Sequence, residues 1–299
     1  MTSVRSPELR RSTLFVAGAD ADLHAQSLRA RPDMLIQDLE DGTPVQLRQA
    51  AWQCSAALFA EAKRLGIVAA VRINMLESFG REDLAVVISA QPQVVFLPKC
   101  ESGAQVAALA QELDRLEAQR RLPLGAIEIV PNAETAAGVM NLKEIAQASA
   151  RVKSALLGTE DLAADLMAER SVDAEELAYA RARFLLECRA LGIEPIDAPF
   201  TFADAAACER EARRSRKLGY RSKSVVLPDH VAVIHGVFTP SEAELAHARE
   251  TARAFELARA EGKDRALVAG LWIEPPTYMN AKRLLERADR LAEASRVHA

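Results

Sequence analysis

The sequence predicts an α/β protein of the (β/α)8 TIM-barrel class, followed by a C-terminal helical extension. Three observations support this prediction. Eight short apolar segments recur between residues 12 and 227, and longer segments of helical character separate them. Strict alternation of strand and helix favours right-handed βαβ units around a parallel sheet. The eight units span roughly 230 residues, and such barrels usually contain about 250 residues.

The eight predicted strands are rich in apolar and β-branched residues. They are STLFV (12–16), MLIQD (34–38), IVAAVRIN (67–74), VVFLP (94–98), AIEIV (126–130), SALLG (154–158), IEPID (193–197) and KSVVL (223–227). Intervening segments such as 101–119 and 202–219 repeat apolar residues at intervals of three and four, which is typical of amphipathic helices. An open doubly wound sheet is the alternative, but no G-x-G-x-x-G follows the first strand.

The chain is expected to divide into a barrel (1–238) and an extension (239–299). Residues 239–262 begin with Thr-Pro-Ser and continue with long helical periodicity, and residues 277–296 form a second helical segment. Between them lies the short apolar segment ALVAGLWIEPP (266–276). We expect this segment to act as a lid over the barrel mouth or to dock on a neighbouring subunit.

Composition excludes several classes of function. The net charge is −4, so the protein has no overall positive field for nucleic acid or an anionic membrane. No apolar stretch approaches the ~18 residues of a membrane span. The four cysteines, at positions 54, 100, 188 and 208, are scattered without a C-x-x-C, which argues against a zinc ribbon or a disulfide framework. A cytoplasmic protein without nucleic-acid or membrane partners is expected.

Polar side chains follow the predicted strands, at the end of a barrel where catalytic groups are found. They are Asp38, Glu40 and Asp41 after strand two; Arg72 and Asn74 after strand three; Lys99 and Glu101 after strand four; Glu134 after strand five; Glu160 and Asp161 after strand six; Asp197 after strand seven; and Asp229 and His230 after strand eight. Converging carboxylates raise one another's pKa unless a cation neutralises them. A hard ion such as Mg²⁺ is the simplest candidate.

Arg72 and Lys99 would then be available to hold an anionic substrate, Arg72 as a bidentate clamp on a carboxylate. Each rim residue also has a structural interpretation. An acid after a strand often caps the next helix, which applies to Glu134 and Asp161. Lys99 is equally consistent with a solvated loop. No G-x-S-x-G or P-loop motif is present, so the parts needed for a serine nucleophile or for phosphoryl transfer are missing.

A family resemblance extends across these blocks. The segments RSTLFVAG, IQDLEDG, AVRIN, FGREDL, VVFLPKCES, AETAAGV, GTEDLAADL, PIDAPF and GLWIEPP occur in this order between about Arg11 and Arg287. Together they resemble the citrate lyase beta-subunit-like family of the HpcH/HpaI aldolase superfamily. This family comprises metal-dependent carbon–carbon lyases, including malyl-CoA and citramalyl-CoA lyases.

The resemblance implies a barrel assembled as a homo-oligomer, a trimer or hexamer, with Mg²⁺ at its mouth. Its metal-binding acids fall on Glu134 and Asp161, and its substrate-binding arginine falls on Arg72. The family pattern further implies that Glu40 and Asp41 support the metal through water. In the extension, Glu274 takes the place of an acid that exchanges a proton with the acetyl carbon in a neighbouring subunit's site. The corresponding reaction is retro-Claisen cleavage of a short 3-hydroxyacyl-CoA, of the citramalyl-CoA or malyl-CoA type, to acetyl-CoA and a 2-oxo acid.

Two blocks depart from the family pattern. Asp20 and Gln26 occupy positions in the first loop where basic residues often hold the CoA phosphates, and Leu227 replaces a histidine after strand eight. Two alternatives therefore remain open. One is a metal-dependent aldolase for a free hydroxy-oxo acid without CoA, and the other is a non-catalytic or acyl-carrier-dependent subunit of a complex. Within GTEDL, Gly158 is expected to form the turn, Asp161 to bind metal and Glu160 to face the helix dipole or a neighbouring group.

Overall fold

The computed structural model describes residues 4–296, and it confirms the predicted fold. Eight parallel strands close into a barrel in sequence order, with β8 hydrogen-bonded to β1. The strands are β1 (Ser12–Ala17), β2 (Met34–Asp38), β3 (Val68–Arg72), β4 (Val94–Leu97), β5 (Glu128–Ala133), β6 (Ser154–Leu157), β7 (Glu194–Phe200) and β8 (Ser222–Val225). All eight predicted strands are therefore present, although β5 and β7 continue three residues beyond their predicted ends.

Helices surround the barrel and follow its strands. They are α1 (Ala21–Ala30), α2 (Arg48–Arg64), α3 (Arg81–Val87), α4 (Gly103–Arg120), α5 (Ala136–Met140), α6 (Leu142–Gln147), α7 (Glu160–Asp165), α8 (Ala178–Leu191), α9 (Ala205–Leu218) and α10 (His230–Phe238). Polar caps fix several of their starts. The Asp20 carboxylate accepts a hydrogen bond from the Leu23 amide at the start of α1, and Thr135 caps α5.

Apolar side chains fill the barrel interior. They are Phe15, Met34, Ile36, Val68, Ala70, Val94, Phe96, Val130, Leu156 and Ile196. Alternate residues of a strand share a face. The next inward position toward a strand's C-terminal end is therefore two residues beyond a core residue. Asp38 lies two residues beyond Ile36, and Arg72 lies two beyond Ala70. The strand period therefore turns these two polar side chains into the barrel at its C-terminal end.

Paired charges close the opposite end of the barrel. We define the barrel floor by Arg10, Arg11, Asp33 and Glu128, which lie at the N-terminal ends of the strands. Arg10 donates two hydrogen bonds to Glu128, at 2.7 and 2.9 Å. Arg11 donates to Asp33 through its backbone amide and its guanidinium, at 2.7 and 2.8 Å. Each of these buried carboxylates thus has a cationic partner.

The expectation that Asp197 joins the rim is wrong. Strand β7 continues to Phe200, so Asp197 lies within the strand and not at its end. Ile196 faces the barrel interior, and its neighbour Asp197 therefore faces outward. There it accepts hydrogen bonds from Arg181 at 2.6 and 3.0 Å and from Lys223 at 3.0 Å. This fully buried ion cluster lies between the barrel and the surrounding helices.

The chain divides into two compact units, Met1–Val237 and Phe238–Ala299. The second unit contains α11 (Glu242–Ala260), an antiparallel pair formed by β9 (Ala266–Val268) and β10 (Leu271–Ile273), and α12 (Pro275–Arg296). Its core contains Phe255, Val268 and Ile273, and the Phe255 ring stacks on Tyr278 at 4.8 Å. The apolar segment at 266–276 is therefore built around a β-hairpin. Within residues 4–296, no helix is long and apolar enough to cross a membrane.

Candidate active site

A small pocket lies at the C-terminal ends of the barrel strands. Its volume is about 220 Å³, below the ~300–1,000 Å³ of sites that take drug-sized ligands. Its lining combines polar and apolar residues. The polar lining comes from Asp38, Asp41, Arg72, Glu134, Thr159, Glu160, Asp161 and Thr201, and the apolar lining from Phe15, Leu156, Gly158, Pro199 and Val226. The pocket therefore suits a small acid that also carries an apolar group.

Asp38 holds Arg72 in the lining of this pocket. Its Nε and Nη2 donate to the two Asp38 oxygens, each at 2.7 Å, and its Nη1 lies 3.1 Å from Glu40 Oε2. Although burial alone would lower the pKa of Arg72, the hydrogen bonds and charge of Asp38 raise it above its ordinary value. Arg72 therefore remains a cation. Its bidentate hydrogen bonds go to Asp38 and not, as the sequence had suggested, to a substrate carboxylate.

Glu40 and Lys99 form a second ion pair beside Arg72. Lys99 Nζ donates to Glu40 Oε1 at 2.8 Å and lies 3.9 Å from Asp41. Burial raises the pKa of Glu40, a shift that Arg72 and Lys99 reduce but do not cancel. For Lys99, burial lowers the pKa, but the hydrogen bond to Glu40 and the charges of Glu40, Asp41 and Asp161 together raise it above its ordinary value. Lys99 is thus part of the charged cluster and not a freely solvated loop residue.

The Lys99 backbone has an unusual conformation. Its φ is +46°, in the left-handed region that side chains other than glycine seldom adopt. In this conformation the Lys99 amide donates a 2.7 Å hydrogen bond to Glu134 Oε1. Strained backbone at a pocket is commonly maintained because it directs such a group. The β4–α4 loop therefore fixes the Glu134 carboxylate.

Glu134 directly follows β5 and is almost completely buried, with 4% of its surface exposed. Burial raises its pKa to about 7, and the charges of Glu40 and Asp161 contribute in the same direction against Arg72 and the Lys99 amide. A carboxylate in this environment carries its charge more readily when a cation binds beside it. The raised pKa of this buried carboxyl group is the strongest sign of a cation site in the barrel.

Asp161 and Glu160 point to different partners, although they are adjacent in sequence. Glu160 is exposed and accepts hydrogen bonds from Thr201 Oγ1 at 2.7 Å and Arg170 Nε at 3.2 Å. Asp161 is half-buried and lines the pocket with Glu134. Both acids of the GTEDL segment therefore line the pocket, but Glu160 is held by Thr201 and Arg170, whereas Asp161 is the more buried of the two.

Gly158 allows Glu134 and the start of α7 to come together. A Cβ atom at position 158 would lie 2.2 Å from Glu134 Cβ and 3.2 Å from Glu134 Oε2. The first distance is far below van der Waals contact. A side chain here would therefore displace Glu134 and crowd its second carboxylate oxygen, so glycine is required by close approach.

The donor set fits a hard divalent cation. Glu134 and Asp161 supply carboxylate oxygens, and the missing side chain at Gly158 avoids crowding of Glu134 Oε2. Within residues 4–296, no group of three or more His, Cys, Asp or Glu side chains is arranged to hold a metal ion. Mg²⁺ commonly uses one or two protein carboxylates, with water and substrate oxygens completing its coordination. Two carboxylates are thus compatible with Mg²⁺ but not with a closed structural zinc site.

Other predicted residues lie outside this cluster. Glu274 is exposed and stands between β10 and α12 in the C-terminal unit. Glu101 and Asp229 are exposed, whereas His230 is buried with its ring 5.5 Å from that of Phe200. Asn74 donates to the Leu39 carbonyl and the Asp83 carboxylate, which indicates a loop-stabilising role.

The sequence placed Asp38 among the rim acids but assigned it no role, whereas the structure makes it the main partner of Arg72. A signal was present in the sequence. Asp38 and Arg72 end adjacent strands, and in the parallel register they are directly paired. Counting inward positions along both strands would have placed the acid beside the guanidinium.

A (β/α)8 barrel whose mouth combines a buried arginine, a lysine and several carboxylates is typical of an enzyme active site. Comparison with known proteins identifies its group. The chain belongs to the HpcH/HpaI aldolase/citrate lyase family, which matches residues 11–228. The resemblance predicted from the sequence is confirmed, and the protein is a carbon–carbon lyase by family.

Relatives and solved structures cover nearly the whole chain. Citrate lyase subunit beta of Escherichia coli K12 is 31% identical over 95% of both chains. The L-malyl-CoA/beta-methylmalyl-CoA lyase of Rhodobacter capsulatus is 29% identical over 94% of this chain and 95% of its own. The structure of the Mycobacterium tuberculosis protein CitE, in complex with magnesium, acetoacetate and coenzyme A, is 26% identical. It covers 93% of this chain and 97% of its own, with a TM-score of 0.73.

Proposed function

We propose that the protein is a Mg²⁺-dependent lyase that cleaves a short 3-hydroxyacyl-CoA of the citramalyl-CoA or malyl-CoA type. The products are acetyl-CoA and a 2-oxo acid. The observation that carries this proposal is the placement of Glu134 and Asp161 on one small pocket with Arg72. Supporting it, a relative is a malyl-CoA lyase and a structural neighbour was solved with magnesium, an oxo acid and coenzyme A.

Glu134 and Asp161 would hold Mg²⁺, and the bound ion would supply Lewis-acid polarisation and orientation of substrate oxygens. The rest of the chemistry falls to side chains of the chain. Lys99 fixes Glu134 through its amide, at 2.7 Å. Its ammonium group, paired with Glu40, adds positive charge at the edge of the pocket and attracts the carboxylate of an incoming substrate.

Arg72 stabilises negative charge on the reacting oxygen. Two of its five N–H groups are occupied by Asp38. The N–H groups of Nη1 and the second N–H of Nη2 remain for Glu40 and for substrate. In retro-Claisen cleavage the hydroxyl loses its proton, the carbon–carbon bond breaks, and its electron pair becomes the thioester enolate. A fixed cation beside the developing charge lowers this barrier, because it requires no reorganisation during the reaction.

Glu40 and Asp41 complete the acid–base groups of the proposed reaction. Burial raises the pKa of Glu40, which brings it closer to the neutral range in which a general base is effective. We assign Glu40, together with Asp41, to the handling of the hydroxyl proton. Glu274 is assigned to the other proton, which it would deliver to the terminal carbon of the enolate to form the acetyl group.

The assembly and cellular site are proposed with this function. We infer a homo-oligomer, a trimer or hexamer, in which the Glu274 segment of one copy serves the barrel of another. All four cysteines are free thiols, as expected for a protein of the reducing cytoplasm. Light scattering of the purified protein, coupled to size-exclusion chromatography, tests the oligomeric state directly.

A panel of hydroxyacyl-CoA esters, assayed for release of a 2-oxo acid, tests the proposed reaction. We expect citramalyl-CoA or malyl-CoA to be cleaved, EDTA to abolish the activity and Mg²⁺ to restore it. Asp161→Ala and Glu274→Ala should each lose turnover while remaining folded. Full activity in the presence of EDTA would refute the metal assignment, and cleavage of none of the esters would refute the substrate assignment.

A second candidate is an aldolase that acts on a free hydroxy-oxo acid. The observation in its favour is a concave surface of about 530 Å³ formed by the loops after β1 and β2. Asp20 and Asp22 contribute to its lining, which contains neither lysine nor arginine. Acidic groups repel the phosphates of CoA, so this surface does not favour a nucleotide tail.

Competition with free CoA separates the two candidates. Inhibition of turnover by CoA at millimolar concentration supports the thioester lyase. Cleavage of a free hydroxy-oxo acid, unaffected by CoA, supports the aldolase. Asp20→Arg is an informative companion variant, because it should strengthen CoA inhibition only if the nucleotide passes over this surface.

A further inference from the structure

We propose that Asp38 is a positioning residue, whose buried carboxylate holds the Arg72 guanidinium in the orientation required for the lyase reaction. This inference rests on the proposed function, in which Arg72 stabilises charge on the reacting oxygen. Asp38 itself acts through Arg72 and need not touch the substrate.

Two backbone amides hold the Asp38 carboxylate in place, independently of Arg72. Its Oδ1 accepts a hydrogen bond from the Glu40 amide at 3.1 Å, and its Oδ2 accepts one from the Gly42 amide at 2.8 Å. The backbone of the following turn therefore wraps around the carboxylate. A Cβ atom at Gly42 would lie only 2.5 Å from Asp38 Oδ2, so this wrapping depends on glycine.

The turn that wraps Asp38 is itself anchored to the neighbouring loop. Thr43 Oγ1 donates to the Asp38 carbonyl at 2.5 Å and accepts from the Gly18 amide at 2.9 Å. All three residues are buried at this junction. Asp38 is thus the centre of a rigid network that joins the loops after β1 and β2, and its carboxylate has little freedom to follow a moving side chain.

Arg72 needs such an anchor because other acids compete for it. Glu40 Oε2 lies 3.1 Å and Asp41 Oδ2 lies 4.0 Å from its guanidinium nitrogens. Glu134 is close enough for its charge to act on Arg72 as well. Without Asp38, the guanidinium could turn toward these carboxylates, which are proposed to serve the metal and the hydroxyl proton. The two 2.7 Å bonds to Asp38 keep it in one orientation at the pocket that Arg72 lines.

The first test is Asp38→Asn, which retains the size of the side chain but replaces one acceptor with a donor. We expect kcat to fall by about 10²-fold, the loss associated with a misplaced catalytic group. KM should change much less, because most of the substrate-binding contacts remain. The matched control is Glu128→Gln at the barrel floor, where Arg10 makes a bidentate pair of the same kind. This variant should lose stability without a comparable loss of kcat.

The second test is a double-mutant cycle with Arg72→Lys. If Asp38 acts only through the guanidinium, Asp38→Asn should cost little additional kcat once that guanidinium has been replaced. An equal fractional loss in both backgrounds would overturn the inference. So would a kcat for Asp38→Asn equal to that of the wild type, or a loss matched by Glu128→Gln.

Gly42→Ala covers the case in which Asp38→Asn does not fold. Its added methyl group displaces the Asp38 carboxylate without removing charge, and it should also lower kcat more than KM changes. An unchanged kcat in a folded Gly42→Ala protein would count against the inference. The wild-type assay separates this question from the proposed function: an inactive wild type refutes the function, whereas an active wild type with an unaffected Asp38→Asn refutes only the role of Asp38.

Discussion

The two ends of the barrel differ in how far their buried charges are balanced. At the floor, Arg10 makes two hydrogen bonds to Glu128, and Arg11 pairs with Asp33. At the mouth, Arg72 and Lys99 face a larger number of acids. These acids are Asp38, Glu40, Asp41, Glu134 and Asp161.

This difference separates structural from functional charge. A buried ion pair that is complete in itself stabilises its surroundings only modestly, but it is costly to break. A cluster that retains uncompensated carboxylates is costly to maintain, and it becomes favourable when a cation is bound. We therefore interpret the ion pairs of the floor as structural, and the charged cluster at the mouth as the active site.

The largest expected effect is at the mouth. Asp161→Ala removes one of the two proposed Mg²⁺ ligands and should reduce kcat by about 10³-fold, equivalent to ~4 kcal/mol of transition-state stabilisation. The unfolding midpoint in the presence of EDTA should change little, because Asp161 is half-buried and forms no ion pair with any residue of 4–296. Turnover and chemical denaturation, measured on the same preparation, check both parts. Retention of most of the activity would contradict the contrast between the two ends.

The converse prediction concerns the floor. Glu128→Gln leaves the Arg10 guanidinium without its counter-charge and should lower the free energy of unfolding by about 3 kcal/mol. The residual activity per folded molecule should equal that of the wild type. Urea denaturation combined with active-site titration tests this outcome. A selective loss of kcat would show that the floor also contributes to catalysis.

Gly158→Ala should have an intermediate effect, and it should affect both stability and activity. The added methyl group would lie 2.2 Å from Glu134 Cβ, so the strand end must shift, at a cost of about 1–3 kcal/mol. Because Glu134 moves with it, Mg²⁺ should bind more weakly. Gly236→Ala is a useful control, since a Cβ at Gly236 has no neighbour within 4 Å among the described residues. Equal behaviour of the two variants would refute the close-approach argument.

The smallest expected effect is a difference in pH dependence between the ends. At the mouth, burial raises the pKa of Glu134 from 4.5 to about 7, so the metal-free protein should lose stability as pH rises between these values. Near the floor, burial lowers the pKa of His235 from 6.5 to about 4, against the charge of Asp33. The stability that the protein has with His235 buried and neutral is therefore fully present above pH 6.5, and it is lost as pH falls toward 4.

Denaturation of Glu134→Gln and His235→Gln in EDTA, at several pH values between 4.5 and 6.5, separates these contributions. Relative to the wild type, Glu134→Gln should gain stability as pH rises, whereas His235→Gln should gain stability as pH falls. Parallel curves for the wild type and both variants would contradict the assigned pKa directions.

The barrel itself was predictable because strand and helix periods are local properties of the sequence. The site was predictable only in part. Being near a strand end was a sufficient guide for Arg72 and Glu134, but it failed for Asp197, since β7 continues to Phe200 and turns Asp197 outward. The direction of a strand side chain depends on its position relative to the inward residues, which turns Asp38 inward and Asp197 outward.

Other features depended on geometry that no local pattern encodes. The positive φ of Lys99 and its amide bond to Glu134 arise from the packing of two loops. The separation of Glu160 from Asp161 depends on Thr201 and Arg170, which are distant in sequence. The role of Glu274 stays a prediction from the family resemblance.

Isothermal calorimetry with Mg²⁺ tests the central claim most directly. The chelator-treated protein should bind one Mg²⁺ per chain at neutral pH. Asp161→Asn should abolish or greatly weaken this binding, while Glu128→Gln should retain it. Binding that is unchanged in Asp161→Asn, or a wild-type enzyme that turns over substrate without binding Mg²⁺, would contradict the claim that the acidic mouth is a metal site.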